Sequence, residues 1–481
     1  MSPILILSII GAYFVMLFVI GKVTSKGADN ESFFIGNKSS PWWVVAFGMI
    51  GTSLSGVTFI SVPGWVGTSQ FSYMQMVLGY LVGYTIIATV LMPLYYRLNL
   101  TSIYTYLDDR FGRASYRTGA SFFLLSRTIG AAFRLYLVAG VLQLTIFDAW
   151  DVPFVVTVIG TIVFIWLYTY EGGIKTIIWT DTLQTLFMLL AVILTVGIIS
   201  SELGFGWSEM VSTIRDSDYS KTFFFDDFND KRYFWKQFLS GAAIAVVMTG
   251  LDQDMMQKNL SCKNIGEAQK NMFTFSLVLV FVNLFFLALG ALLYLFAIGK
   301  GMEIPNKTDD LYPLIATGGE LPVIVGILFI LGLIAAAYSS ADSALAGLTT
   351  SACVDILDIN EKPEKERIKL RKKVHVLMSG ILVITIMIFR WVNNDSVISQ
   401  VFTAAGYTYG PLLGLYAFGL FNKLIVRDKL VPVICIAAPI LTYIVNFNSV
   451  AWFNGYEIGF ERLILNGFIA YVGLLLISKR K

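Results

Sequence analysis

Of the 481 residues, 56% are hydrophobic and 14% charged, and mean hydropathy is +0.71. A water-soluble globular domain does not carry that balance; apolar runs of about 18 residues or more recur from end to end, which makes the chain an all-α polytopic membrane protein. The formal net charge of +3 comes from lysines and arginines between those runs and implies no nucleic-acid partner.

Hydropathy, punctuated by Gly, Pro and charge, predicts thirteen spans: 3–21, 42–66, 70–98, 117–146, 152–171, 174–199, 236–257, 271–299, 321–354, 374–392, 398–421, 429–447 and 460–478. The runs are continuous rather than alternating, which excludes a β-barrel. The first span begins at residue 3 with no basic leader and no Ala-x-Ala site, so it is expected to be a retained helix rather than a signal peptide.

The second span opens on Trp42-Trp43 and loses helical regularity at Gly51-Thr52-Ser53-Leu54-Ser55-Gly56-Val57-Thr58 before Pro63-Gly64. Such a run either breaks the helix, freeing carbonyls for a cation at mid-membrane, or lets two backbones cross closely. In the fourth span, Arg127 and Arg134 lie seven residues apart, on one helical face and about 10 Å apart along the axis. A guanidinium at that depth requires a partner. Arg127 is expected to reach the cytoplasmic interface or an internal pair. Arg134 meets either a structural partner or a solute carboxylate, which its planar donors match.

Asp181 follows the expected start of the sixth span, at Ile174, by seven residues and reads as a helix cap or a ligand; Asp252 and Asp254 are expected to be solvated at a cytoplasmic helix end. In the ninth span the run Ala335 to Ser343 places Ala336, Ser339, Ser340 and Ser343 within about 100° of helix surface, with Asp342 at one margin. That stripe serves either as contact between helices or as oxygen ligands for a hard monovalent cation. The basic run 362–373 reads as a topology-setting loop, with an anionic-lipid patch as the alternative.

Lys and Arg between spans number 24 on the side of the C-terminus and 9 on the other, so the N-terminus is expected outside and the C-terminus in the cytoplasm, in a multi-pass protein of the cell (inner) membrane. One histidine, His375, and three scattered cysteines, Cys262, Cys353 and Cys435, build neither a metal motif nor a nucleophilic triad, and no Gly-rich phosphate loop occurs; an enzyme is not expected.

The segments Trp42-Trp43 to Pro63-Gly64, Thr101-Ser102-Ile103-Tyr104 to Asp109-Arg110-Phe111, Gly172-Gly173-Ile174-Lys175 to Trp179-Thr180-Asp181-Thr182-Leu183-Gln184, Gly250-Leu251-Asp252-Gln253 to Gln257-Lys258, and Ala335 to Ser343 together resemble the sodium/solute symporter family over about residues 1–425. The resemblance implies the leucine-transporter fold: two inverted five-helix repeats, 42–199 and 236–421, preceded by one helix with its loop (1–41) and followed by two (422–481). It implies Na+ as coupling ion, a small organic solute as partner, and no required oligomer. Carried over by position, the sodium ligands are the carbonyls of Gly51, Leu54 and Ala336 with the hydroxyls of Ser339 and Ser340. A second sodium would use Asp181, Asp342 and Ser343 with Ser339 and Ser340, although Asp342 stands where a serine is expected. Sugar-transporting members carry an acid-amide pair where this chain has Val57-Thr58. Sialic-acid-type members carry hydroxyls matching Ser53, Ser55 and Thr58 and an arginine matching Arg134, and Ser55 to Thr58 also resembles the iodide and monocarboxylate branch. The expected solute is therefore anionic, with Gln75 and Gln70 either as further polar contacts at the outer end of the site or as interfacial residues; a neutral-solute symporter and a proton-coupled or uncoupled carrier of the same fold stay open.

Overall fold

The computed structural model describes residues 2–24, 40–100, 102–169, 173–392 and 396–479. Of the residues named above, Thr101 and Gly172 lie outside them. Helices account for nearly all of the described chain. Seven are long and apolar enough to cross a membrane, two bent pairs qualify when each is taken as one span, and four shorter apolar helices accompany them.

In chain order, α1 is Pro3–Thr24, α2 Trp42–Ser53, α3 Gly56–Ser69, α4 Tyr73–Leu98, α5 Arg113–Trp150, α6 Phe154–Thr169 and α7 Gly173–Glu202. They are followed by α8 Phe234–Gly250, α9 Gln253–Leu260, α10 Ile265–Gly299, α11 Val323–Ile356, α12 Glu364–Val392, α13 Val397–Thr408, α14 Gly410–Phe421, α15 Val431–Phe447 and α16 Arg462–Leu476.

Two helices break where the sequence withdraws support. At α2/α3 the backbone ladder stops with Leu54 N–H to Ile50 O and resumes with Phe59 N–H to Ser55 O; Leu54 and Ser55 leave helical geometry and the axis turns by 53°. At α8/α9 the last turn, Val246–Gly250, is a π-turn, and Asp252 caps α9 by accepting from the N–H groups of Asp254 (3.1 Å) and Met255 (3.3 Å), with a bend of 66°. A third interruption at Tyr409, ahead of Pro411, divides α13 from α14.

Elsewhere the helices pack closely around one continuous core. The α7–α11 and α4–α8 pairs make the most extensive contacts, and in the second Gly79 and Gly241 face the crossing; a Cβ on either would fall 2.0–2.1 Å from a backbone carbonyl of the other helix. Several boundaries differ from expectation, two of them with a visible cause. α12 begins at Glu364 and takes in most of the basic run, whose interleaved glutamates and lysines support a helix extending beyond the apolar segment. The last helix ends at Leu476, and Ser478–Lys479 pairs instead as a short antiparallel strand with Ile425–Val426.

Candidate functional site

The α2/α3 break lies against the serine stripe of α11. Ser340 Oγ donates to Thr52 O (3.3 Å), at the end of α2, and to Ala336 O (3.2 Å), one turn back along α11. Gly51 brings α2 onto α7 and α11 together: a Cβ there would lie 2.1 Å from Thr185 Oγ1 and 3.3 Å from Ser339 Oγ. Gly51, Leu54, Ala336, Ser339 and Ser340 are all buried. Ser339 Oγ is fully enclosed and faces the Asp181 carboxylate, a grouping of oxygens that suits a small cation.

The residues expected to hold a second cation also come together, but with a lysine among them. Lys258 of α9, 1% exposed at its side chain, donates to Asp181 Oδ2 (2.5 Å), to Ser343 Oγ (2.6 Å) and to Thr52 Oγ1. Thr52 Oγ1 itself donates to Asp181 Oδ2 (3.0 Å). Asp342 lies within α11, where its Oδ1 accepts from Ser343 N–H (2.6 Å). Asp181 therefore caps no helix end. Lys258, which the expected span 236–257 leaves just outside the apolar run, is a buried ion-pair partner.

Asp252 and Asp254 correct the sequence expectation in the same way, since both are 0% exposed. Asp254 forms an ion pair with Arg127, and Asp252 Oδ2 accepts from Tyr409 Oη (2.5 Å). Because α9 is folded back beneath the break, its polar residues face α5, α7 and α13/α14 rather than water.

Above this layer lies a narrow cavity of about 80 Å³, tighter than a usual small-molecule site. Ser53, Ser55, Thr58 and Arg134 all line it. Arg134 is buried, its Nε and Nη1 have no hydrogen-bond partner, and among the described residues it forms no ion pair. Tyr73, Tyr80, Tyr84, Asn283 and Phe402 are among its other lining residues, as is Arg127. Sequence reasoning missed all but the arginine: aromatics are too common in apolar helices to stand out, whereas Asn283, a lone amide within the apolar α10, was a usable signal.

Gln75 is not part of this group. Its Nε2 donates to Arg232 O (2.8 Å) and Ser72 O (3.3 Å) and its Oε1 accepts from Phe224 N–H (3.1 Å), so it pins the segment before α8. Gln70 does similar work, donating to Asp218 O (2.5 Å). Both correct the expectation of solute contact, because the backbone of 218–232 takes up their amides.

A helical bundle with two sharply broken helices, a buried polar cluster at one break and a polar-lined cavity beside it defines a membrane carrier. The model of the sodium:solute symporter family matches residues 33–428, and the chain belongs to that family, with sodium as its coupling ion. It is 28% identical to the sodium/sialic acid symporter NanT of Aliivibrio fischeri over 83% of this chain and 78% of that one. With the human sodium/iodide cotransporter it shares 25% over 85% and 65%. The fold superposes on a substrate-bound, outward-open Na+-coupled sialic acid symporter with a TM-score of 0.81 at 21% identity, covering 99% of both chains, and on a nucleobase-cation-symport-1 family transporter with a TM-score of 0.58 at 16% identity, covering 92% of this chain and 94% of that one.

Proposed function

We propose that the protein imports a small carboxylate-bearing solute, of the sialic-acid or monocarboxylate type, together with sodium by alternating access. One observation carries the choice of solute: the Arg134 guanidinium is buried at the cavity wall with two nitrogens unpartnered. A charge so placed is stable only if something carries the opposite charge to it, and a carboxylate offers two parallel acceptors. Ser53, Ser55 and Thr58 supply hydroxyls for the rest of the solute, and relatives that carry sialic acid or monocarboxylates support the same class.

Sodium is held by the carbonyls of Gly51, Leu54 and Ala336 and the hydroxyls of Ser339 and Ser340, five neutral oxygens that suit a hard monovalent ion able to leave again. Its arrival fixes the broken-helix geometry and so raises solute affinity; linkage requires the solute to tighten sodium binding by the same factor. Each positive charge carried inward gains about 2.3 kcal/mol per 100 mV. The thirteen helical stretches are read as thirteen crossings of the cell membrane, N-terminus outside, with repeats 42–199 and 236–421. The placement of a broken helix at the start of each repeat supports that division.

The test is uptake of radiolabelled N-acetylneuraminic acid, lactate and glucose into proteoliposomes. Accumulation of an acid, abolished when choline replaces sodium, is expected. Uptake of glucose alone, or equal uptake in choline, overturns the reading.

A further inference from the structure

We propose that Lys258 is a tethered cation that takes the place of a second sodium ion, so that this carrier binds one sodium per cycle. The inference rests on the symport reading above and concerns the Asp181 side of the same polar cluster.

The geometry is that of a site occupied on the Oδ2 side of Asp181, while the buried Oδ1 is not reached by the lysine. An ammonium has three N–H donors and no acceptor, and the three of Lys258 meet three acceptors: Asp181 Oδ2 on α7, Ser343 Oγ on α11 and Thr52 Oγ1 on α2. Two of those acceptors, Asp181 and Ser343, belong to the set expected to ligate a second sodium. The lysine reaches them from a fourth helix, α9, and side chains on both sides of the pair are closed to water. A sodium ion using these oxygens would sit within one coordination distance of Nζ and would compete for the same lone pairs. The site accommodates one cation, and the chain supplies it.

Function follows from attachment. A sodium ion bound here would enter from outside and leave to the cytoplasm, carrying its charge and its gradient. The lysine neutralises Asp181 in every turn of the cycle and goes nowhere. Coupling then uses one ion, and a monoanionic solute travelling with one sodium moves no net charge.

The number of sodium ions bound by the purified protein decides the matter, measured with 22Na+ at saturation and through the sodium dependence of thermal stabilisation. Wild type is expected to bind about one per chain with a Hill coefficient of about one. Lys258→Gln vacates the site while leaving the Asp181 carboxylate, and is expected to bind about two. Lys258→Gln with Asp181→Asn removes both charges and returns the count to about one, which a purely structural ion pair does not predict. Two sodium ions on the wild type, or one on a folded Lys258→Gln protein, overturns the proposal. Should Lys258→Gln not fold, Lys258→Met, which keeps the length of the side chain without its charge, is counted in its place, and two sodium ions on the wild type still overturn the proposal. No sodium on the wild type overturns the symport reading itself and this inference with it, whereas failure to transport acids leaves the sodium count standing.

Discussion

Arg127 of α5 and Asp254 of α9 form an ion pair with both side chains enclosed, 4% and 0% exposed. It ties the short arm of the second broken helix to the long helix that also carries Arg134. Breaking such a pair from one side strands a buried charge. Arg127→Leu and Asp254→Leu are each expected to destabilise the protein by about 3–5 kcal/mol, and the two together by much less. Thermal unfolding of the three variants in detergent, compared as a double-mutant cycle, measures this; additive losses would show that the two residues do not act as a pair.

Arg134 presents the opposite case, a guanidinium with donors left over. Its removal relieves the solute-free protein of an unpartnered buried charge, so Arg134→Ala is expected to leave melting temperature unchanged or raise it. Affinity for a carboxylate solute falls by about 10- to 100-fold, the worth of a charged hydrogen bond. Arg134→Lys keeps the charge without the planar fork and recovers part of the loss. Equal affinity in all three proteins would remove Arg134 from the solute site.

Gly51 is held to its identity by Thr185. The threonine hydroxyl donates to Asp181 O (2.7 Å) and occupies the space a Cβ would need. Gly51→Ala therefore pushes α2 off α7, with an expected loss of about 1–3 kcal/mol. Adding Thr185→Ala removes the obstructing oxygen and is expected to restore most of that stability, read from unfolding temperatures with and without sodium.

Much of this arrangement is visible in one dimension. The run from Gly51 to Thr58 disrupts a helix by composition, and the spacing of Ala336, Ser339, Ser340 and Ser343 places them on one face by period alone. The partner of a charge is not visible in that way. Lys258 lies 77 positions from Asp181 and at the edge of an apolar run, so a count of loop lysines absorbs it. Only the turn at Leu251 and Asp252 brings α9 back under the bundle and puts Lys258, Asp254 and Asp252 inside. Gln75 failed for a related reason, since its partners are backbone groups of a connection whose path the sequence does not reveal.

Asp309, in the connection before α11, gives the protein a pH dependence. It is buried, and burial raises its carboxyl to about 6, although Oδ2 accepts from Val397 N–H (3.0 Å) at the start of α13, an interaction that favours the charged form. In the unfolded chain the group titrates near about 3.9. Below that value both states hold the proton and no penalty exists. Between about 4 and 6 the unfolded state ionises while the folded state does not, so this group lowers stability progressively as pH rises, and above about 6 the effect is complete at roughly 3 kcal/mol. Asp309→Asn is expected to remove this slope: relative to the variant, wild type loses stability from pH 4 to pH 6 and holds a constant deficit beyond. Unfolding profiles of the two proteins that run parallel across that window would assign the pH dependence to other groups.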